Sequence, residues 1–248
     1  MAVSVPSFVW PVVLGANVLL IAYLVLALRR YGGVHARGVA LGAGTALTAW
    51  FAGMLALSAN GVFAAGTGGP PTIALGVVPP LAIGGLALAL SPSVRREALS
   101  IPRPWLVAVQ SLRVLGFVFL ILLGDGVLPR QFALPAGLGD FVVGALAPLV
   151  AMALAREWSW SRPLAVAWNV FGIADLVVAL GMGALSAPSA IRVFPGEPST
   201  AAMALLPLSM IPVFAVPIFL LLHVVSLFGM LRTRGGARAR FPADLLAS

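Results

Sequence analysis

The chain has 248 residues, 61% of them hydrophobic and only 9% charged, with a mean hydropathy of +1.08. That composition excludes a soluble globular domain and implies one membrane domain built from several bilayer-spanning segments. The formal net charge of +8 rests on arginine alone, with no lysine and no cysteine anywhere. In so apolar a chain the charge is a topology signal rather than a nucleic-acid surface, and the missing thiols exclude disulfides, thiolate metal sites and cysteine nucleophiles.

The first apolar run, residues 5–28, is long enough for a hydrocarbon core of roughly 30 Å, and Arg29 and Arg30 follow it at once. A cleaved signal peptide carries its charges before a shorter run, so this segment reads as an anchor with its N-terminus outside. Further spans are expected at residues 38–59, 72–90, 104–124, 134–155, 163–185 and 203–230. The expected fold is therefore all-α, a polytopic membrane bundle of seven helices over residues 1–231, with residues 232–248 as a short basic cytoplasmic tail. Pro79 and Pro80 interrupt the third span after a flexible turn at residues 66–71, and Pro207, Pro212 and Pro217 predict repeated kinks in the seventh.

Arginines alternate between the connections. Arg29, Arg30 and Arg37 follow span one, Arg95, Arg96 and Arg103 span three, Arg156 and Arg162 span five, and Arg232, Arg234, Arg238 and Arg240 the last span. The other loops hold only Arg130 and Arg192. Positive residues in short loops stay cytoplasmic, so the N-terminus is expected outside and the C-terminus inside. Trp105, Trp158 and Trp160 flank the basic loops as an interfacial belt does, and Trp10 sits near the other face. No loop has room for a soluble catalytic domain.

Four ionisable residues fall inside spans: Arg113, Asp140, Asp175 and His223. Asp140 lies about eight residues in from the outer end of its span and Asp175 about twelve from the inner end of its own, which at about 1.5 Å per residue brings both to nearly one depth. Arg113 falls near the midplane too. An isolated charge in hydrocarbon costs about 2.5–3.5 kcal/mol, so Arg113 needs at least one aspartate as counter-ion. The second carboxylate is surplus, and two carboxylates on one arginine tend to hold a proton between them and titrate as a pair. A structural salt bridge locking three helices is the competing account.

Gly137, Asp140 and Gly144 share one stripe of the fifth helix, so a partner helix is expected close beside the carboxylate. Asn169, Gly172 and Asp175 share a broad face of the sixth. Gln110, Asn169 and His223, with Ser226, are expected to form a second polar layer nearer the cytoplasm, and Asn17 of the first helix to join from the midplane.

The run Gly137-Leu138-Gly139-Asp140-Phe141 resembles the Gly-x-Gly-Asp motif of presenilin-type intramembrane aspartyl proteases. The likeness spans five residues. In that family the partner aspartate precedes this helix and follows a Tyr, whereas Asp175 comes later and follows Ala174, and the family's Pro-Ala-Leu motif has no clear counterpart. The match is read as coincidental. The wider pattern, Gln110-x-x-Arg113, Gly139-Asp140 and Asn169-x-x-Gly172-x-x-Asp175, resembles a group of bacterial multi-span membrane proteins without a known activity. That resemblance covers roughly the second half of the chain and implies a bacterial inner-membrane location. Seven helices with the N-terminus outside also resemble microbial rhodopsins, but retinal needs a Lys Schiff base and none exists here.

Three functions compete on these grounds. A binding or transport protein would use Arg113, Asp140 and Asp175 as a small-molecule or proton site, and this reading ranks first. An intramembrane hydrolase would use Asp140 and Asp175 as acid and base. An accessory subunit would leave the activity to a membrane partner. Haem is disfavoured, since His223 is the one histidine within a span and His35 lies in a loop, and no metal site is expected.

Overall fold

The computed structural model describes residues 5–33, 36–64 and 68–236, with side chains as far as Leu231. His35, Gly66, Arg238, Arg240 and most of the expected tail lie outside the described residues, as do the side chains of Arg232 and Arg234. The helices in order are α1 (Val9–Tyr31), α2 (Ala36–Ala59), α3 (Ala74–Leu90), α4 (Pro92–Ser100), α5 (Arg103–Ala108), α6 (Val118–Gly124), α7 (Arg130–Ala155), α8 (Ser161–Ser186) and α9 (Val216–Gly236). A 3₁₀ segment, Val109–Phe117, joins α5 to α6, and a π turn, Ile211–Ala215, leads into α9. Six apolar stretches are long enough to cross a bilayer, and a seventh is counted if the bent pair α3 and α4 is one span.

Three local expectations are corrected. The proline pair does not interrupt the third span: α3 runs unbroken through Pro79 and Pro80, and the break comes at Ser91, where the chain turns by 98° into α4. Both prolines sit early in α3, and Gly76, four residues before Pro80, has no Cβ to add to the crowding of the ring. The break has its own cause, because Ser91 accepts from Val94 N at 3.3 Å as an N-cap and Pro92 occupies the first helical turn. Arg95 then turns back to cap the carbonyls of Leu88 and Ala89 at the end of α3.

The fourth span is not one helix but α5, nine residues of 3₁₀ and α6. The tight segment runs well beyond the usual three or four residues. It lies against α7, where a Cβ on Gly144 would overlap the backbone N of Val114.

The last span starts later than expected, for Met203 belongs to a separate 3₁₀ turn, Thr200–Ala204, and Pro207 precedes the helix altogether. Its first turn is π rather than α. The wider winding lets the chain pass Pro217, whose ring would crowd the Val213 carbonyl in α geometry.

α7 is central, packed against α5, the 3₁₀ segment and α6 on one side and α8 on the other, while α9 packs on α8, α3 and α5. Of the apolar stretch of α9, 72% is buried, against 6% for α2, which rests on α1 at the periphery. The polarity is inverted relative to a soluble protein. Leu19, Leu41, Leu75, Ile83, Leu90 and Val177 are exposed on the perimeter, while Asn17, Gln110, Arg113, Asn169 and His223 are buried. That is the arrangement of a membrane-embedded helical bundle.

The connections gather at two ends. At one, Arg103 donates to Gly229 O at 2.7 Å, Arg162 to Met230 O, and Tyr23 to Trp105 O at 3.0 Å, so the arginine-bearing turns share a face. Trp105 packs there on Tyr23 and Tyr31, and Trp158 on Trp160. At the other end Ala190 N bonds Gly69 O at 2.9 Å and Gly68 N bonds Pro188 O at 3.3 Å, closing the turn before α3 onto the turn after α8.

Candidate functional site

The three charged residues expected to meet do meet. Arg113, 2% exposed, extends from the 3₁₀ segment into the space between α7, α8 and α9. Its Nε donates to Asp140 Oδ1 at 2.7 Å and its Nη2 to Asp175 Oδ2, so two carboxylates from two helices hold the same edge of one guanidinium. Nη1 donates to Gly172 O at 3.3 Å and to His223 Nε2 at 3.0 Å. Arginine can only donate, so Nε2 presents its lone pair and the proton sits on Nδ1, which donates to Asn169 Oδ1 at 3.0 Å. Asn169 Nδ2 donates in turn to Ala165 O at 2.7 Å and Ser226 Oγ at 3.2 Å. With a neutral imidazole and both carboxylates ionised, the cluster would carry one more negative than positive charge.

Each member is admitted by a glycine on a neighbouring element. A Cβ on Gly116 would stand 2.6 Å from Asp140 Oδ2, one on Gly139 would overlap the Asp175 carboxylate, and one on Gly172 would lie 2.5 Å from His223 Nε2. Gly137 and Gly144 work as the shared stripe predicted, against Leu120 and Val114. Trp168 lies against His223, ring centroids 5.0 Å apart and planes tilted by 53°, and its Nε1 donates to Val143 O at 3.2 Å.

The second polar layer forms without Gln110. His223, Asn169 and Ser226 are linked as expected, but Gln110 Nε2 donates to Phe219 O at 3.2 Å and its Oε1 has no partner. Both imidazole nitrogens are already taken by Arg113 and Asn169, so no acceptor or donor on His223 remains for it. Asn17 approaches from α1 but bonds its own helix at Val13 O, 2.8 Å, and leaves Oδ1 unpaired. It shares with Arg113 and Asp140 the wall of a small cavity of about 60 Å³. Gly116 and Trp168 were not anticipated. Gly116, three residues from Arg113, was visible as the one small residue on that charge's helical face.

A second cavity of about 200 Å³ opens beyond Asp140 toward the end opposite the arginine-bearing turns. Phe63, Phe119, Phe132 and Leu176 line it, the segments at Pro71 and Pro188 roof it, and Asp140 is the one ionisable residue among its described lining residues. Asp140 lines both cavities; Arg113 holds its Oδ1, while Oδ2, beside Gly116, accepts no hydrogen bond from any described residue. Among the described residues no three His, Asp or Glu side chains gather at metal-binding spacing.

The family model described as a domain of unknown function, DUF8737, matches residues 70–231, well over half of the chain. The chain belongs to the DUF8737 family. The DUF8737 match takes in Arg113, Asp140, Asp175 and His223 together with the glycines that admit them, while α1, α2 and Asn17 precede it. Comparison with curated proteins and with solved structures gave no match for this DUF8737 chain.

Proposed function

We propose that this protein binds a small molecule at the Arg113, Asp140 and Asp175 cluster and carries it across a bacterial cytoplasmic membrane, with a proton on the unmatched carboxylate. One observation carries the reading: Asp140 is held by Arg113 on one side and forms the floor of an apolar cavity on the other. A salt bridge made only for packing has no need of a cavity against it, because interiors close over such pairs. The surplus negative charge supports a coupled proton, since Arg113, Asp175 and His223 are the other ionisable groups around Asp140 among the described residues and none cancels it. The arginine-bearing turns on one face support an inner-membrane protein with the N-terminus outside, seven spans in residues 1–231, and a basic cytoplasmic tail.

The hydrolase reading has less support, because Arg113 engages an oxygen of each carboxylate that would have to shuttle protons. An accessory role draws on one specific observation, the nearly unburied α2, which leaves a helix face for a partner subunit or for lipid. Native mass spectrometry from mild detergent tests the first reading. A retained small molecule that is lost in Asp140→Asn, with the fold kept, supports it, whereas variants at Asp140 and Asp175 that lose only thermal stability would reduce the cluster to a structural lock.

A further inference from the structure

The cavity that ends on Asp140 has a chemistry that selects its occupant, and this inference rests on the binding reading above. Its walls are almost wholly apolar, with the rings of Phe63, Phe119 and Phe132 among them, and Asp140 is its one ionisable lining residue among those described. Asp140 is 8% exposed, and its Oδ2 offers lone pairs without a described donor. An uncommitted carboxylate oxygen on a residue that lines an apolar cavity favours a guest that can donate to it. With both carboxylates ionised, the cluster behind it, Arg113 with Asp140, Asp175 and a neutral His223, is one negative charge in excess, which the coupled proton balances without a guest and a bound cation balances in its place. A cationic donor answers both demands at once. An anion would add a second unmatched charge in a low-dielectric site, and a neutral guest without a donor would leave both unmet.

The rest of the cavity fits the body of such a guest. Aromatic rings receive a cation on their faces and an apolar frame along their edges. At about 200 Å³ the space lies below the roughly 300 Å³ at which drug-sized pockets begin, so it suits a frame of about one ring. We propose that this cavity is a binding site for a small organic cation, an ammonium group on an aromatic or aliphatic frame, seated with its nitrogen on Asp140.

Three near-isosteric probes test this on the detergent-purified full chain by calorimetry: phenethylammonium, phenethyl alcohol and phenylacetate. Phenethylammonium is expected to bind at least about tenfold more tightly than the alcohol, as a charge-assisted hydrogen bond implies, with phenylacetate weakest. Asp140→Asn should bring the ammonium and the alcohol to within about twofold of each other while the alcohol still binds, and Ala179→Phe, which fills the cavity, should abolish both. Equal affinity for ammonium and alcohol in the unmodified protein would overturn the cation preference and leave a cavity that binds small molecules. Tightest binding of phenylacetate would also overturn it. No binding by any probe, with no effect of Ala179→Phe on the retained mass of the purified protein, would overturn this site and the binding reading together. Should Asp140→Asn fail to fold, the order of the three probes on the unmodified protein decides the matter alone.

Discussion

The carboxylate of Asp175 lies directly on Gly139, in the place where any other residue would carry its Cβ. The neighbouring Asp140 therefore faces Arg113 from α7 while its own predecessor makes room for the second aspartate from α8. Gly139→Ala should destabilise the protein by about 1–3 kcal/mol from overpacking, and by more if Asp175 is driven off Arg113. Gly181→Ala is the control, because nothing stands within 4 Å of a Cβ there and the added methyl favours the helix. Thermal unfolding in one detergent compares the two, and equal midpoints would contradict the contact.

Charge counting predicts an order among variants of the cluster. Arg113→Met leaves two buried carboxylates without a cation and should cost about 3–5 kcal/mol. Asp140→Asn leaves Arg113 with Asp175 and the cluster neutral, so it should cost clearly less, as should Asp175→Asn. Removing both aspartates strands Arg113, and the loss should exceed the sum of the single losses. Chemical denaturation of the four variants reads the coupling, and strict additivity would show that the two carboxylates do not share the arginine.

What could be read from the sequence, and what could not, divides along one physical line. Spans appear because each is a long apolar run, and Arg113, Asp140 and Asp175 appear because charges are rare inside such runs and depth follows from counting residues. The 3₁₀ winding around Arg113, the intact helix through Pro79 and Pro80 and the π entry to α9 depend on what packs alongside. Gly144 has its meaning only opposite Val114, and it is thirty residues away in sequence. Gln110 was placed by helical face alone, which cannot tell that His223 has both nitrogens occupied by Arg113 and Asn169. Apolar residues on all sides of each helix also hide which face is the core, because lipid and protein interior ask for the same side chains.

The hydrogen bonds around His223 assign its tautomer. Arg113 can only donate to Nε2, and Asn169 turns its carbonyl to Nδ1 because its amide is spent on Ala165 O and Ser226 Oγ. Nitrogen NMR of the His35→Gln variant, which leaves His223 as the one histidine, should report the proton on Nδ1 and a bare Nε2. A proton found on Nε2 would mean that Arg113 does not donate to the ring. In Asn169→Leu the Nδ1 proton loses its acceptor while Arg113 still donates to Nε2, so the tautomer should hold and the Nδ1 resonance alone should shift.

The native chain contains no cysteine, so single introduced thiols report its topology cleanly. Ser93 on α4 and Ser159 before α8 lie at the end that holds Arg29, Arg30, Arg96, Arg103, Arg156 and Arg162, whereas Asp125 and Ala190 lie at the end with Arg130 and Arg192. The arginine asymmetry predicts that the first pair is cytoplasmic. A membrane-impermeant maleimide applied to intact cells should therefore label Asp125→Cys and Ala190→Cys, and label Ser93→Cys and Ser159→Cys only after the membrane is opened. Ser93 carries the most information, because α3 has 17 residues and spans about 25 Å at 1.5 Å per residue, short of a hydrocarbon core of about 30 Å. At its end α4 turns away by 98°, and Arg95 ties it to the last carbonyls of α3. Labelling of Ser93→Cys on intact cells with Asp125→Cys now protected would mean that α3 enters and leaves by one face, and the chain would then have six spans.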